Sequence, residues 1–315
     1  MAHRAGARQP IVAITAFNID RYTTVEGFVA EYRLIGLDTI ELNGRVRERV
    51  IVDLLPYIER GEIKISSLHT FCPQPEVADA EEPNLASPDE EERRAALRRA
   101  QKTIATAGRL GASAVVVHAG AMPALRPLAE EVKELYRAGR GDSAGFARLR
   151  AELVERRRRE GELFVQAAER SVVELAEYVE RQGWRVRLGL ENRDLCGQIP
   201  QAEEYDAWFA RYPDAPIGLW FDTGHAQILQ SLGLGDQRAL LERHGERLVG
   251  LHLHDCLGVD DHIVPGSGGV DFDLLRPYLR PDVLRVLEYG RRIQPVERIV
   301  DGIRYLRERG ILGPS

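Results

Sequence analysis

The stretch GLHLHDCLGVDDHIVPGSGG, residues 250–269, crowds His252, His254 and His262 together with Asp255, Asp260 and Asp261. Imidazoles and carboxylates at this density are the donors of a divalent metal site or of general acid–base chemistry. Elsewhere His69, His118 and His225 stand at or just past the end of an apolar run, as do Glu191, Asp222 and Glu288. Taken singly, each is an ordinary rim residue, because a strand-end histidine commonly makes a hydrogen bond and a lone glutamate an ion pair. Taken jointly, they bring several anionic charges to one place with no lysine or arginine among them. Such a cluster needs protons or a cation to neutralise it. A divalent metal is the economical answer. Mixed nitrogen and oxygen donors suit Mn2+, Co2+, Zn2+ or Fe2+, with Mg2+ also compatible.

These side chains must be positioned by strands. Short apolar runs recur at 11–17, 37–43, 63–70, 114–120, 186–192, 217–225, 248–255 and 285–290, each followed by room for a helix. Runs of this kind are the pattern of parallel strands covered on both faces. Alternation puts Gly250, His252 and His254 on one face of the seventh strand and Leu251 and Leu253 on the other. By the same count Glu191 sides with Gly189, Asp222 with Trp220 and Gly218, and Glu288 with Val286. If the leucines pack on helices, all these polar groups face one axis. The stretch after residue 87 predicts a helix with Ser87 as N-cap and Pro88 at its first position. Helical periodicity also runs from residue 144 to Gly183. Eight βα units without a composition break predict an α/β chain folded as a single (β/α)8 TIM barrel over 1–315, with 1–10 as a flexible lead-in. Surplus chain at 71–87 and in a helical insertion at 121–160 follows strand C-termini, the face where barrels keep their chemistry. A doubly wound sheet is the alternative, but no GxGxxG turn follows the first strand.

Composition narrows the function classes. With 44% hydrophobic and 29% charged residues the chain reads as a soluble protein, with no apolar run of membrane-spanning length and no signal-peptide core. Three scattered cysteines, Cys72, Cys196 and Cys256, read as packed free thiols in a reducing cytoplasm. A net charge of −6 argues against nucleic acid as the main partner, and VERRRREGE reads as a solvated helix face. Trp220 reads as buried core. Phe71 could line the apolar face of a ligand. The sequence leaves the oligomeric state open, a homo-oligomer included.

The residues LENR (190–193), FDTGHA (221–226), HLHD (252–255), DDHIVPGSGGVDF (260–272) and LEYG (287–290) resemble the xylose-isomerase-like TIM-barrel superfamily. That superfamily contains the sugar (phosphate) isomerases and epimerases and the apurinic endonucleases of AP endonuclease family 2. SSLHTFCPQP and SPDEEERRAAL look most like the isomerase/epimerase branch. That branch implies one metal held by Glu191, Asp222, His252 and Glu288, with His225 touching substrate. The endonuclease branch implies further ligands at His69, His118, His225, Asp260 and His262. His254 stands where the family often has lysine or asparagine.

The reading that follows is a metal-dependent isomerase or epimerase of a small carbohydrate or polyol ketone. Glu191 and Glu288 would exchange a carbon-bound proton and the metal would stabilise an enediolate. A keto-polyol dehydratase uses the same proton abstraction. The rival of another class is a phosphodiester hydrolase acting at abasic DNA, and the third is a binding protein without turnover. VPGSGG is expected to be a flexible loop over the site.

Overall fold

The computed structural model describes residues 9–75, 83–290 and 295–313. Most of the expected lead-in, residues 1–8, and part of the loop expected at 71–87, residues 76–82, lie outside the described residues. All eight expected strands form: β1 (Val12–Thr15), β2 (Thr39–Leu42), β3 (Lys64–His69), β4 (Ala114–Val117), β5 (Arg187–Glu191), β6 (Ile217–Asp222), β7 (Leu248–Leu253) and, after a hairpin, β10 (Leu284–Leu287). They close into a parallel barrel in the order β1-β10-β7-β6-β5-β4-β3-β2. The chain is a TIM barrel.

Helices α1 (Val25–Ile35), α2 (Glu48–Glu59) and α3 (Glu90–Leu110) follow the first three strands. Helices α4 (Arg126–Arg137), α5 (Ala144–Glu160) and α6 (Glu162–Gln182) lie between β4 and β5. The later crossovers are α7 (Ala202–Arg211), α8 (Thr223–Ser231), α9 (Gln237–His244) and α10 (Val296–Glu308). Alternate strand residues such as Ile14, Leu190, Phe221 and Leu251 pack outward in the large helix-covered core. Ala13, Ala114, Val116, Trp220, Leu284 and Val286 fill the barrel interior.

Trp220 explains two glycines. A Cβ at Gly189 would lie 2.7 Å from Trp220 Cε3, and one at Gly250 would lie 2.3 Å from Cζ3. Both distances are far below contact, so the flanking strands must be bare where the indole crosses the axis. Burying that ring contributes on the order of 4 kcal/mol. It also forms the floor on which the polar groups above it stand.

Three local expectations are corrected. Helix α3 starts at Glu90, and its N-cap is Asp89, whose side chain accepts the Glu92 N–H. Ser87 instead accepts the Asp89 N–H and donates to the Glu92 carboxylate. The periodic stretch from 144 to 183 breaks at Gly161 into α5 and α6. VPGSGG is pinned rather than loose. Asp255, 1% exposed, accepts N–H bonds from Cys256, Gly266, Gly268 and Val270, each at 2.9 Å. The segment between β7 and that loop forms an antiparallel hairpin of β8 (Asp255–Leu257) and β9 (Asp260–Ile263).

The arginine run on α5 is largely ion-paired. Arg156 and Arg159 meet Glu160, and Arg158 meets Glu155. Arg157 departs from the solvated reading, because it turns inward to Glu204 and the Cys196 carbonyl. All three cysteines are buried and free, and burial pushes the Cys256 thiol up to about 12.

Candidate metal centre

Strand ends bring the functional groups together at the C-terminal mouth. Asp222 ends β6 and caps α8 by accepting the His225 N–H at 2.8 Å. Thr223 Oγ1 donates to the His254 carbonyl at 2.7 Å and accepts the His254 N–H at 3.2 Å, tying the end of β6 to the residue just past β7. Gly224 is bare because a Cβ there would lie 2.1 Å from His254 Cε1. In ENR, Asn192 clamps the Asp222 backbone with two hydrogen bonds, so Glu191 and Asp222 hold fixed relative positions.

The focus is His252 Nδ1. Glu191 Oε1 lies 2.6 Å from it, Glu288 Oε2 3.1 Å and Asp222 Oδ2 3.6 Å. Glu191, Asp222 and His252 have no exposed surface. Three carboxylates around one ring nitrogen require positive charge there. Burial favours the neutral imidazole, but Glu288, Glu41, Asp222 and Glu191 together hold the His252 pKa well above its ordinary value. A metal ion would take the place of the Nδ1 proton. Among the described residues, Glu288 Oε2 is buried without a hydrogen-bond partner, an orphan acceptor aimed into the cluster. Donor atoms near enough to share one ion fall into overlapping groups, among them His69, Glu191, His252 and Glu288, and Glu191, Asp222 and His225; such mixed carboxylate and imidazole sets suit a divalent cation.

The remaining histidines are brought to the same mouth in different roles. His69 stacks on His252, with ring centroids 4.9 Å apart, and its Nε2 lies 3.3 Å from Glu41. His118 Nε2 faces Glu191 and Arg193, and burial together with Arg193 lowers its pKa to about 4. His225 Nδ1 donates to the Asn192 carbonyl at 3.1 Å, which leaves Nε2 turned toward Asp261. His254 Nδ1 accepts the His262 N–H, so its Nε2 carries the proton donated to Asp222 at 2.9 Å. His254 therefore orients Asp222. His262 lies parallel to His254 at 4.3 Å, and its pKa rises to about 9 because Asp261 and Glu288 outweigh burial.

Asp260 does not join them. Its side chain is 61% exposed and pairs with Arg137 of α4. The neighbouring Asp261 takes the inward place, 2.9 Å from His262 Nδ1 and 3.7 Å from His225 Nε2. His262 has φ 56°, a left-handed conformation that is costly for a non-glycine residue. Its N–H bond to His254 helps hold that turn.

Two further residues complete the site. Glu41, at the inner end of β2, is fully buried and accepts hydrogen bonds from Ser67 Oγ at 2.6 Å and His252 Nε2 at 2.9 Å. Arg193 pairs with Glu191, so the cluster does contain an arginine. Against burial, Arg193 and His118 hold the Glu191 carboxyl well below its ordinary range. The only sequence signal for either was proximity: Glu41 lies in a strand-end IELN, and Arg193 follows Glu191 by two positions. The insertion helix α4 borders the mouth, where buried Lys133 meets Asp194 at 2.8 Å. Phe71 is buried beneath the Arg99 guanidinium, so the ligand-lining place considered for it is not exposed.

A curated relative, the uncharacterized protein y4fM of Sinorhizobium fredii (strain NBRC 101917 / NGR234), is 38% identical over 72 residues. The matched stretch spans only 22% of this chain and 22% of that protein. Among solved structures, a D-tagatose 3-epimerase-like protein is similar with a TM-score of 0.65 at 19% identity, covering 95% of this chain and 96% of its own. An L-ribulose 3-epimerase is similar with a TM-score of 0.66 at 14% identity, over 96% and 95%. The IolI protein with a bound zinc atom is similar with a TM-score of 0.58 at 15% identity, over 95% and 97%. At such identities the likeness is one of fold. The family match is broader than the curated relative's and is made on sequence: residues 29–309 match the family described as xylose isomerase-like TIM barrel, and the chain belongs to it.

Proposed function

We propose that this protein is a metal-dependent isomerase or epimerase of a small carbohydrate or polyol ketone. The observation that carries the reading is the convergence of Glu191 and Glu288 on His252 Nδ1 from different strands, at 2.6 and 3.1 Å. Epimerase names among proteins of similar fold, and a zinc in one of them, support it. Glu191, Asp222, His252 and Glu288 would hold the cation, drawn from Mn2+, Co2+, Zn2+, Mg2+ or Fe2+, which when bound polarises vicinal oxygens of the substrate.

The chain's own groups then move the proton. Glu288, whose Oε2 makes no hydrogen bond among the described residues, takes the hydrogen from the carbon beside the carbonyl. Glu191, reaching in from β5 and protonated from solvent, delivers a proton to that carbon or its neighbour, and Glu288 releases the one it took to solvent. His225 Nε2, free of its backbone tie, accepts a bond from a substrate hydroxyl. Helix α4 and the β8–β9 hairpin keep bulk water from the reacting carbon, joined across the mouth by Arg137 and Asp260.

The endonuclease reading loses support from Asp260, which faces Arg137 outside the cluster. No described helix is long and apolar enough to cross a membrane. The test is a panel of ketoses and keto-polyols incubated with Mn2+- or Co2+-loaded protein in deuterated water. Deuterium on the carbon beside the carbonyl, with formation of an epimer or isomer, is the expected result. No exchange with any of them, together with chelator-sensitive incision of an abasic duplex, would overturn the proposal.

A further inference from the structure

Beside Glu191 lies a second set of donors already occupied by the protein itself. Glu191 Oε2 and His118 Nε2 are 2.8 Å apart. The carboxylate oxygen only accepts, so the pair needs a donor, either a proton on His118 Nε2 or a third group whose N–H reaches both atoms and makes Nε2 an acceptor as well. Arg193 supplies it. Its Nη1 lies 2.6 Å from His118 Nε2 and hydrogen bonds the same Glu191 oxygen, with the side chain only 18% exposed. The next imidazole along the wall, His69, stands edge-on to His118 at 5.0 Å, but its Nε2 is engaged by Glu41.

We propose that Arg193 is a resident cation that fills the second metal position beside Glu191, so that the centre holds one ion. The inference rests on the metal-dependent reading above and adds to it the number of ions and the group that sets it. The guanidinium is permanently charged and cannot leave as a proton would. A second divalent ion at His118 and Glu191 would have to displace it or sit against it. The two-residue spacing of Glu191 and Arg193 is what lets the side chain fold back onto the carboxylate. Asp194 and Lys133 close the outer side of this loop, Lys133 bonding Asp194 at 2.8 Å.

The test is the metal content of wild type, Arg193→Met, Arg193→Ala and Arg193→Lys after equilibrium dialysis against Mn2+ or Zn2+. Electron paramagnetic resonance of the Mn2+ forms is recorded alongside. Wild type and Arg193→Lys are expected to hold one ion. Arg193→Met and Arg193→Ala are expected to hold two, with spin coupling between the manganese ions, and adding His118→Ala should return the count to one. The methionine variant keeps side-chain bulk, so it reads the loss of charge if the alanine variant fails to fold. One ion in both neutral variants, or two in wild type, overturns the inference while leaving the metal reading intact. A wild type that holds no ion overturns the metal reading and this inference with it.

Discussion

Glu41 accepts the Nε2 proton of His252 across 2.9 Å, with both side chains fully buried. Burial alone would raise the Glu41 pKa, but His252 and His69 bring it down to about 2. An ionised carboxylate only accepts, so the proton is fixed on Nε2 and Nδ1 is presented to Glu191, Asp222 and Glu288. Glu41→Ala is therefore expected to weaken divalent-metal affinity by roughly 10–100-fold, the usual scale for a partner of a liganding histidine. Glu41→Gln, which still offers an oxygen, should lose less. Competition titration with a chromophoric chelator measures both, and unchanged affinity in the alanine variant would show that Nδ1 needs no such support.

Protein purified without chelator should retain a divalent metal. Content below roughly a tenth of an equivalent, allowing for loss on purification, would count against the centre. Asp222 does two jobs, facing His252 Nδ1 and capping α8. Asp222→Ala should lose metal and about 1 kcal/mol of stability from the cap, whereas Asp222→Asn should lose mainly metal. Elemental analysis and denaturant unfolding of the same samples separate the two effects.

Glu191→Gln and Glu288→Gln keep shape and one oxygen but remove the basic carboxylate. With saturating metal and a turned-over ketose, each should slow the chemical step by about 100-fold or more and suppress solvent deuterium incorporation. Near wild-type turnover in both variants would sink the acid–base assignment and leave the metal centre standing.

Asp255 holds the 264–270 loop through four backbone N–H groups. Asp255→Ala strands those donors, and the expected loss is about 3 kcal/mol or more. A Tm lower by roughly 5 °C or more should accompany it. Asn at this position should fall between. Hydrogen exchange of Gly266, Gly268 and Val270 that stays slow in the alanine variant would contradict the pinning.

Acid should act on the metal-free protein through Glu41. Its folded pKa of about 2 lies below the ordinary 4.5. A depressed carboxylate contributes stability that is fully present above pH 4.5 and is lost as pH falls from there to about 2. Wild type should thus lose on the order of 2 kcal/mol more than Glu41→Gln across that window. Unfolding free energies measured at several pH values check this, and parallel curves would mean that Glu41 titrates alike in both states.

The sequence by itself determined the strands, because parallel barrel strands covered on both faces must be short apolar runs ending at the mouth. It also determined which residues stand at those ends, since side chains alternate with period two along a strand. That was enough to bring Glu191, Asp222, His252 and Glu288 to one axis. Past the strand ends the period no longer holds. A register shift in the β8–β9 hairpin and the left-handed turn at His262 send Asp260 outward and Asp261 inward, a choice that no spacing of DDH encodes. Glu41 and Arg193 were hidden for a different reason. A strand-end acid and a post-strand arginine are common on any barrel rim, and only the partners decide their meaning. Those partners, His252 for Glu41 and His118 for Arg193, lie 211 and 75 residues away along the chain, and closing the barrel is what brings them within bonding distance.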